Sequence, residues 1–508
     1  MRRLALLLFA ALLACSSMAT PSKRDVAAEF AAAMGHHVRD STQMVADASL
    51  AGDPLGAQML ADGIVSATVT GHLGASRTRD GSWIVQVPPV GARVVAVSHG
   101  AMLNIRGTNV RDVHTAVLQL PAAVVPGDAL VVAAAGSGRG DYWDVPGRSA
   151  CTEMAAFVFV PYVVSSGEPL LRPPAIGDNW LVRYFRSIPI PEARVVGTRL
   201  PSAIAVQSLG IDWTTWGASE PSIAYLTRLL QRFGGECYDG WSTDSRTPDR
   251  QHPGYGSYYA SVVSQACVQL CSTAPDAVKR PLALACVQRG LDLVGAFADG
   301  RRQIPLGGHC AGRKALVVLC GHLLGVEAFA DPTTIVGPVF QEDLCYHART
   351  WWWGGWSAGW RYRLEVPGDG ALLAQAPSTW GAVDATQHNT QAWMVAGYLP
   401  QVVGAQVGTA LAMRLLGRTR EWSTDGHAMV TQWMSGPPPQ ADAQLRGVGI
   451  TLPWGTDYAL SKGVGFCAAA WRRAATGGAG GAIGAQRASQ EGEGAPPLDG
   501  SLLGVDHR

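Results

Sequence analysis

Between Ile64 and Val164 the chain is cut into short apolar runs, and this chopping constrains the fold more than any single motif. Ile64–Val69, Trp83–Val87, Ala92–Ser98, Met102–Ile105, Ala116–Leu120 and Ala129–Ala134 are rich in Val, Ile and Ala, and Phe157–Val164 is a further apolar run. Gly, Pro, Asn and Asp separate them. Runs of this length are too short for ordinary helices and are bounded by turn chemistry, so they read as strands. The pattern predicts an all-β sandwich over residues 61–170. Pro126-Gly127-Asp128 reads as the turn before one of its strands.

The texture changes after Arg172-Pro173-Pro174. Ser222–Phe233 carries Ile223, Leu226, Leu229 and Leu230 at helical spacing. Ser257–Leu270, Asp276–Phe297, Gly312–Leu324, Gln391–Leu416 and Gly426–Met434 follow as further helices, with Asp276 placed as an N-cap. Their long, aromatic-rich connections predict an all-α, (α/α) toroid over 171–475 rather than a short-looped bundle. The chain thus reads as multidomain. Before the sandwich, residues 20–60 read as a helical lead-in, with helical texture at Asp25–Met34 and Thr42–Leu60. After Ala474, Gly, Ala, Gln and Glu dominate, and 476–508 reads as a disordered tail.

The N-terminus has the shape of a secretory signal over 1–19: Arg2 and Arg3, an apolar run Leu4–Leu13, then Ser17-Met18-Ala19. Leu12-Leu13-Ala14-Cys15 offers an alternative in which Cys15 carries a lipid anchor. No run is long enough to span a bilayer. The expectation is a secreted or periplasmic protein. Nine of the ten cysteines lie beyond Cys15, and in an oxidising compartment some of them are expected to pair. Lys and Arg number 40 against 39 Asp and Glu. That balance argues against a nucleic-acid partner, which would call for a basic excess.

Tryptophan, at 17 residues, suits either core filling or stacking on sugars. Five lie within Trp351–Trp360, interleaved with glycine, which predicts a loop or short-strand insertion beside a groove. Three further clusters combine residues fit for chemistry. Gln251-His252-Pro253-Gly254-Tyr255-Gly256-Ser257-Tyr258-Tyr259 leads into a helix start and offers an imidazole and a phenol to a cleft, with Tyr258 and Tyr259 read alternatively as ordinary packing at the helix N-terminus. Gly307-Gly308-His309-Cys310-Ala311-Gly312-Arg313-Lys314 sets glycines, an imidazole and two cations at a helix N-terminus, a combination suited to a carboxylate or phosphate. Gln387-His388-Asn389-Thr390 opens the next long helix, where Asn389 serves either as a cap or as a ligand. His347, His322 and His427 are weaker candidates, and His322 reads as a packed core residue. His-Glu-x-x-His does not occur, and Glu342-Asp343 is the one carboxylate cluster of note.

Gly307-Gly308-His309 followed by Gly312-Arg313-Lys314 resembles a Gly-Gly-His-x-x-Gly-Arg-Lys block of polysaccharide lyase family 38 and its relatives. These are secreted proteins with an Ig-like domain and a toroid that act on polyuronates such as glucuronan or alginate. Arg172-Pro173-Pro174 resembles the family's domain junction, and Tyr255-Gly256 matches the end of another block. Two positions depart: Gln251 stands for an Asn, and after Trp380-Gly381 the family's Tyr and Arg fall near Asp384 and on Ala385. The resemblance implies β-elimination with an acidic polysaccharide as partner and no cofactor. Groups around the uronate carboxylate stabilise the charge formed when the C5 proton leaves. A base removes that proton and an acid protonates the departing O4. The residues it implies for catalysis are His309, Tyr255 and Tyr346. Gln251, His252, Arg313, Lys314, His388 and Asn389 would hold the carboxylate, and Trp351 and Trp356 would stack on sugar rings. A toroid glycoside hydrolase and a non-catalytic glycan-binding surface protein remain the alternatives.

Overall fold

The computed structural model describes residues 54–105, 113, 115–135, 151–161, 171–175, 200, 223–231, 257–298, 311–325, 327–332, 340, 342, 345–346, 351–352, 355–356, 359–360, 404–435 and 465–476. The expected signal segment, the lead-in up to residue 53 and the tail from 477 lie outside them.

The first nine strands form two sheets. In one, β1 (Gln58–Asp62), β2 (Val65–Thr70), β5 (Ala92–Val97) and β7 (Ala122–Val124) pair antiparallel in the order β1-β2-β5-β7. In the other the order is β3-β4-β9-β8-β6, from β3 (Gly74–Arg77), β4 (Trp83–Gln86), β9 (Cys151–Val160), β8 (Ala129–Ala135) and β6 (Gly100–Leu103). There β4 and β9 run parallel and the remaining pairs antiparallel. Two expectations shift. Gln58–Asp62 is a strand, not the end of a lead-in helix, and the strand expected at Ala116–Leu120 lies further on, at Ala122–Val124. The Pro126-Gly127-Asp128 turn forms as read. Gly127 takes φ +103°, which a side chain would oppose. The Asp128 carboxylate accepts the Val125 N–H at 2.8 Å and the Asn104 amide at 2.8 Å.

The two sheets differ in what covers them. Along β2, Val65, Ala67 and Val69 are buried while Ser66, Thr68 and Thr70 are half-exposed, the alternation of a sheet with one wet face. Along β8 and β9 no residue of 129–134 or 154–160 is exposed. Leu130, Val132, Phe157 and Phe159 face the first sheet, in one core with Val65 and Val94. Val131, Ala133, Ala156 and Val158 belong to a second core shared with the helices. The second sheet is therefore the middle layer of three, and its strands are near-continuous apolar runs because both faces are dry.

The helices are α1 (Ile223–Gln231), α2 (Ser257–Leu270), α3 (Asp276–Ala298), α4 (Arg313–Leu324), α5 (Glu327–Ala330), α6 (Val407–Leu415), α7 (Thr419–Trp422), α8 (Thr424–Ser435) and α9 (Gly465–Thr476). Their positions follow the periodicity closely where described, but their arrangement corrects the expected architecture. In α4 every residue from Arg313 to Leu323 except His322 is buried, and α3 is buried throughout 282–295. A helix lining a ring keeps one face toward the open centre, whereas these are enclosed on all sides. Among the described residues the helices form one packed cluster against the middle sheet, with no toroid. The Ig-like sandwich followed by a toroid is thus not the fold.

Sheet and helices are joined by a buried ion cluster. The Arg172 guanidinium pairs with Asp292 of α3 through two 2.7 Å contacts, Nη1 to Oδ1 and Nη2 to Oδ2. It also reaches Asp80 Oδ2, in the β3–β4 connection, from Nε at 2.9 Å and Nη2 at 2.7 Å. Asp80 further accepts the Thr78 hydroxyl at 2.6 Å and the Ser82 N–H at 3.1 Å. Gln288 brackets the Arg172 backbone, accepting its N–H at 2.9 Å and donating to its carbonyl at 3.1 Å. Burial pushes the Asp80 pKa up, but Arg172, Thr78 and Arg289 outweigh it and hold it below the usual carboxylate value. Burial likewise opposes the charge on Arg172, and the two carboxylates override it and raise its pKa.

Five cysteines, Cys267, Cys271, Cys286, Cys320 and Cys467, sit buried in the helical core as free thiols. The expected pairing does not occur among them. Burial pushes the Cys267 thiol up to about 12, so these sulfurs behave as small apolar side chains.

Candidate functional site

Two of the sequence clusters meet where α2 and α4 begin. The end of the first is Tyr259, in the first turn of α2. The end of the second is Gly312-Arg313-Lys314, the start of α4. Gly312 caps α4 with φ 88°. A Cβ there would lie 2.8 Å from the Ala260 Cα, so only glycine permits both the turn and the approach of the two helix starts. The consequence is that the Arg313 guanidinium carbon stands 4.9 Å from the Tyr259 ring centroid, a cation–π distance.

Arg313 and Lys314 are buried, at 0% and 2% exposure. A charged helix start facing solvent is therefore excluded. The anion that such a start favours comes from the chain itself: Glu342, fully buried, accepts the Gly312 N–H at 2.6 Å. Charge-assisted bonds of this kind are the strong ones. The carboxylate of Glu342 thus meets the positive end of α4, whose first two residues are the cations Arg313 and Lys314. Glu342 and Tyr259 were not singled out by their roles from sequence. The one available signal for Glu342 was an acidic pair in an apolar stretch.

His309, Tyr255, Gln251, His252, His388 and Asn389 lie outside the described residues, as does His347. Tyr346 lies in β10 (Cys345–Tyr346), paired with β13 (Gly359–Trp360) so that Tyr346 opposes Gly359. Trp351 and Trp356 oppose one another across β11 (Trp351–Trp352) and β12 (Gly355–Trp356). The tryptophan-rich segment thus contains short strands, as one of its two readings had it. His322 is half-exposed beside Arg418, whose Nε is 3.5 Å from its Nδ1, and is not the packed core residue expected.

His427 stands on α8 with its ring centroid 5.9 Å from that of Trp471 on α9. Arg414, in the last turn of α6, places its guanidinium carbon 4.9 Å from the Trp471 ring. Burial and the Arg414 charge together lower the His427 pKa to about 4.

Beside the Asp80–Arg172–Asp292 cluster a pocket is lined by Thr78, Asp80, Gln231, Pro281 and Gln288 among others. Its volume is about 20 Å³, room for a water and not for a sugar. Among the described residues no helix is long and apolar enough to cross a membrane. No protein-family model, curated protein or solved structure matches this chain.

Proposed function

We propose that the chain is an exported protein that engages an acidic polysaccharide and cleaves it by β-elimination. The observation that carries the reading is the meeting of Tyr259 and Arg313, which joins the ends of the two clusters holding Tyr255 and His309. In this reading His309 and Tyr255 or Tyr346 exchange the C5 proton and the O4 proton. Arg313 and Lys314 act through the field they set up rather than by touching sugar, because both are buried. Such a field stabilises the charge that forms when the C5 proton leaves, and it favours an anionic polymer over a neutral one. Gln251, His252, His388 and Asn389 supply the direct carboxylate contacts, and Trp351 and Trp356 the stacking surface.

A second reading has its own support. Glu342 fills the carboxylate position at the start of α4, as a structural anion would in a protein that binds glycans without cleaving them. Ultraviolet absorbance during incubation with glucuronan and alginate separates the two. Elimination creates a C4=C5 double bond conjugated to the carboxylate, which absorbs where the substrate does not. A rise that is lost in His309→Ala supports the lyase. Retention on an immobilised polyuronate with no rise supports the binding protein. Reducing ends without unsaturation would point to hydrolysis and overturn both.

A further inference from the structure

Three helices bring Arg414, His427 and Trp471 together away from the α2–α4 junction. We propose that this cluster is a second binding site, one that takes the carboxylate group of a small organic acid.

The geometry argues for a missing anion. Arg414 Nη2 and His427 Nε2 are both shielded from solvent and neither has a hydrogen-bond partner. Buried donors in native proteins are almost always paired, and a guanidinium needs this more than most groups because it stays charged. Among the described residues the carboxylates of this helical region pair with other cations, Glu421 Oε1 with Arg420 at 3.0 Å and Arg418 at 3.9 Å, and Asp331 with Arg420 at 3.3 Å. The C-terminal position of Arg414 on α6 offsets its charge only in part. Burial lowers its pKa, the mark of a cation losing water without gaining a counter-charge.

The donor set selects the ligand. A guanidinium presents a planar fork that matches the two oxygens of a carboxylate. His427, its pKa lowered to about 4, is neutral at pH 7 and adds a ring nitrogen without adding charge. That suits a singly charged carboxylate better than a phosphate. The Trp471 ring, 7% exposed and in contact with both groups, supplies an apolar wall. Arg414 and His427 are each half-buried as whole residues, so Nη2 and Nε2 lie just beneath a surface that the rest of both side chains helps to form.

The test is isothermal titration calorimetry of the full chain at pH 7 with sodium glucuronate and with sodium acetate, using sodium chloride as the ionic control. Wild-type protein is expected to bind at least one of the two acids. Arg414→Gln should weaken that binding at least tenfold, about what one charge-assisted bidentate pair supplies. Arg414→Lys, which keeps the charge and loses the fork, should fall between, and it serves as the readout if Arg414→Gln does not fold. Equal affinity for both acids assigns the site to a bare carboxylate. Preference for glucuronate assigns it to a sugar acid. No heat above the chloride control from either acid, or binding that is unchanged in the Arg414 variants, overturns the proposal.

Discussion

Arg172→Ala is the substitution whose cost the structure fixes most tightly. Arg172 is fully buried and stands between two carboxylates. Removing its side chain strips both buried carboxylates of the cation they share and leaves Asp80 only the charge of Arg289. Breaking one partner out of a buried ion pair costs about 3–5 kcal/mol. For a cooperative unit of about 150–250 residues each kcal/mol lowers Tm by roughly 2–4 °C, so Arg172→Ala should melt roughly 10 °C below wild type. Deleting the whole cluster is a different perturbation. Asp80→Leu, Arg172→Met and Asp292→Leu together remove the three paired charges and fill their space with apolar atoms, and such replacements lie near neutrality. Differential scanning calorimetry of wild type, single and triple variants measures both. The pH dependence has a definite sign. The pKa of Asp80 is lower in the folded state than in the unfolded chain, so its contribution is present above the unfolded value near 4 and is lost as the pH falls through the folded value. Asp80→Asn should flatten the acid limb of the stability curve below about pH 4. A Tm for Arg172→Ala within about 2 °C of wild type, or a triple variant destabilised as much as the single, would refute the reasoning.

Three further outcomes follow from the same structure. Gly312→Ala meets both a positive φ and the Ala260 backbone at 2.8 Å, so it should cost about 1–3 kcal/mol in urea unfolding. Cys267, Cys271, Cys286, Cys320 and Cys467 should resist a thiol reagent in the folded protein and all react in guanidinium chloride, as counted by mass spectrometry of the labelled peptides. Glu342→Gln keeps an acceptor for the Gly312 N–H but removes the buried charge at the start of α4. It should destabilise by about 1–3 kcal/mol, and a neutral result in the same urea experiment would contradict the role assigned to Glu342.

Local structure was readable where one rule dominates. The stripe Leu226, Leu229, Leu230 placed α1, and the Gly/Asp turn at 126–128 placed the start of β8. The architecture was not, because periodicity reports a residue's neighbours along the chain but not the object it packs against. The continuous apolar runs of β8, β9 and α4 signal burial on all sides, which means a middle layer and an enclosed helix. Neither a two-faced sandwich nor a ring has that feature. The ion cluster was legible only as an Arg before two prolines, since Asp80 and Asp292 are 92 and 120 residues from Arg172 in the chain. At the candidate site, glycines and cations marked the start of α4 correctly as an anion position. Sequence had no means of showing that Glu342, 30 residues from Gly312, takes it.

The most direct test of the functional account is the rate at which unsaturated product is released from glucuronan and alginate by wild-type protein and by Arg313→Gln, with folding of the variant checked by circular dichroism. Loss of the buried positive charge should slow elimination by about 10²–10³-fold, the scale of one electrostatic contribution to a charged transition state. Equal rates in the two proteins, or a wild-type protein that releases no unsaturated product, would contradict it.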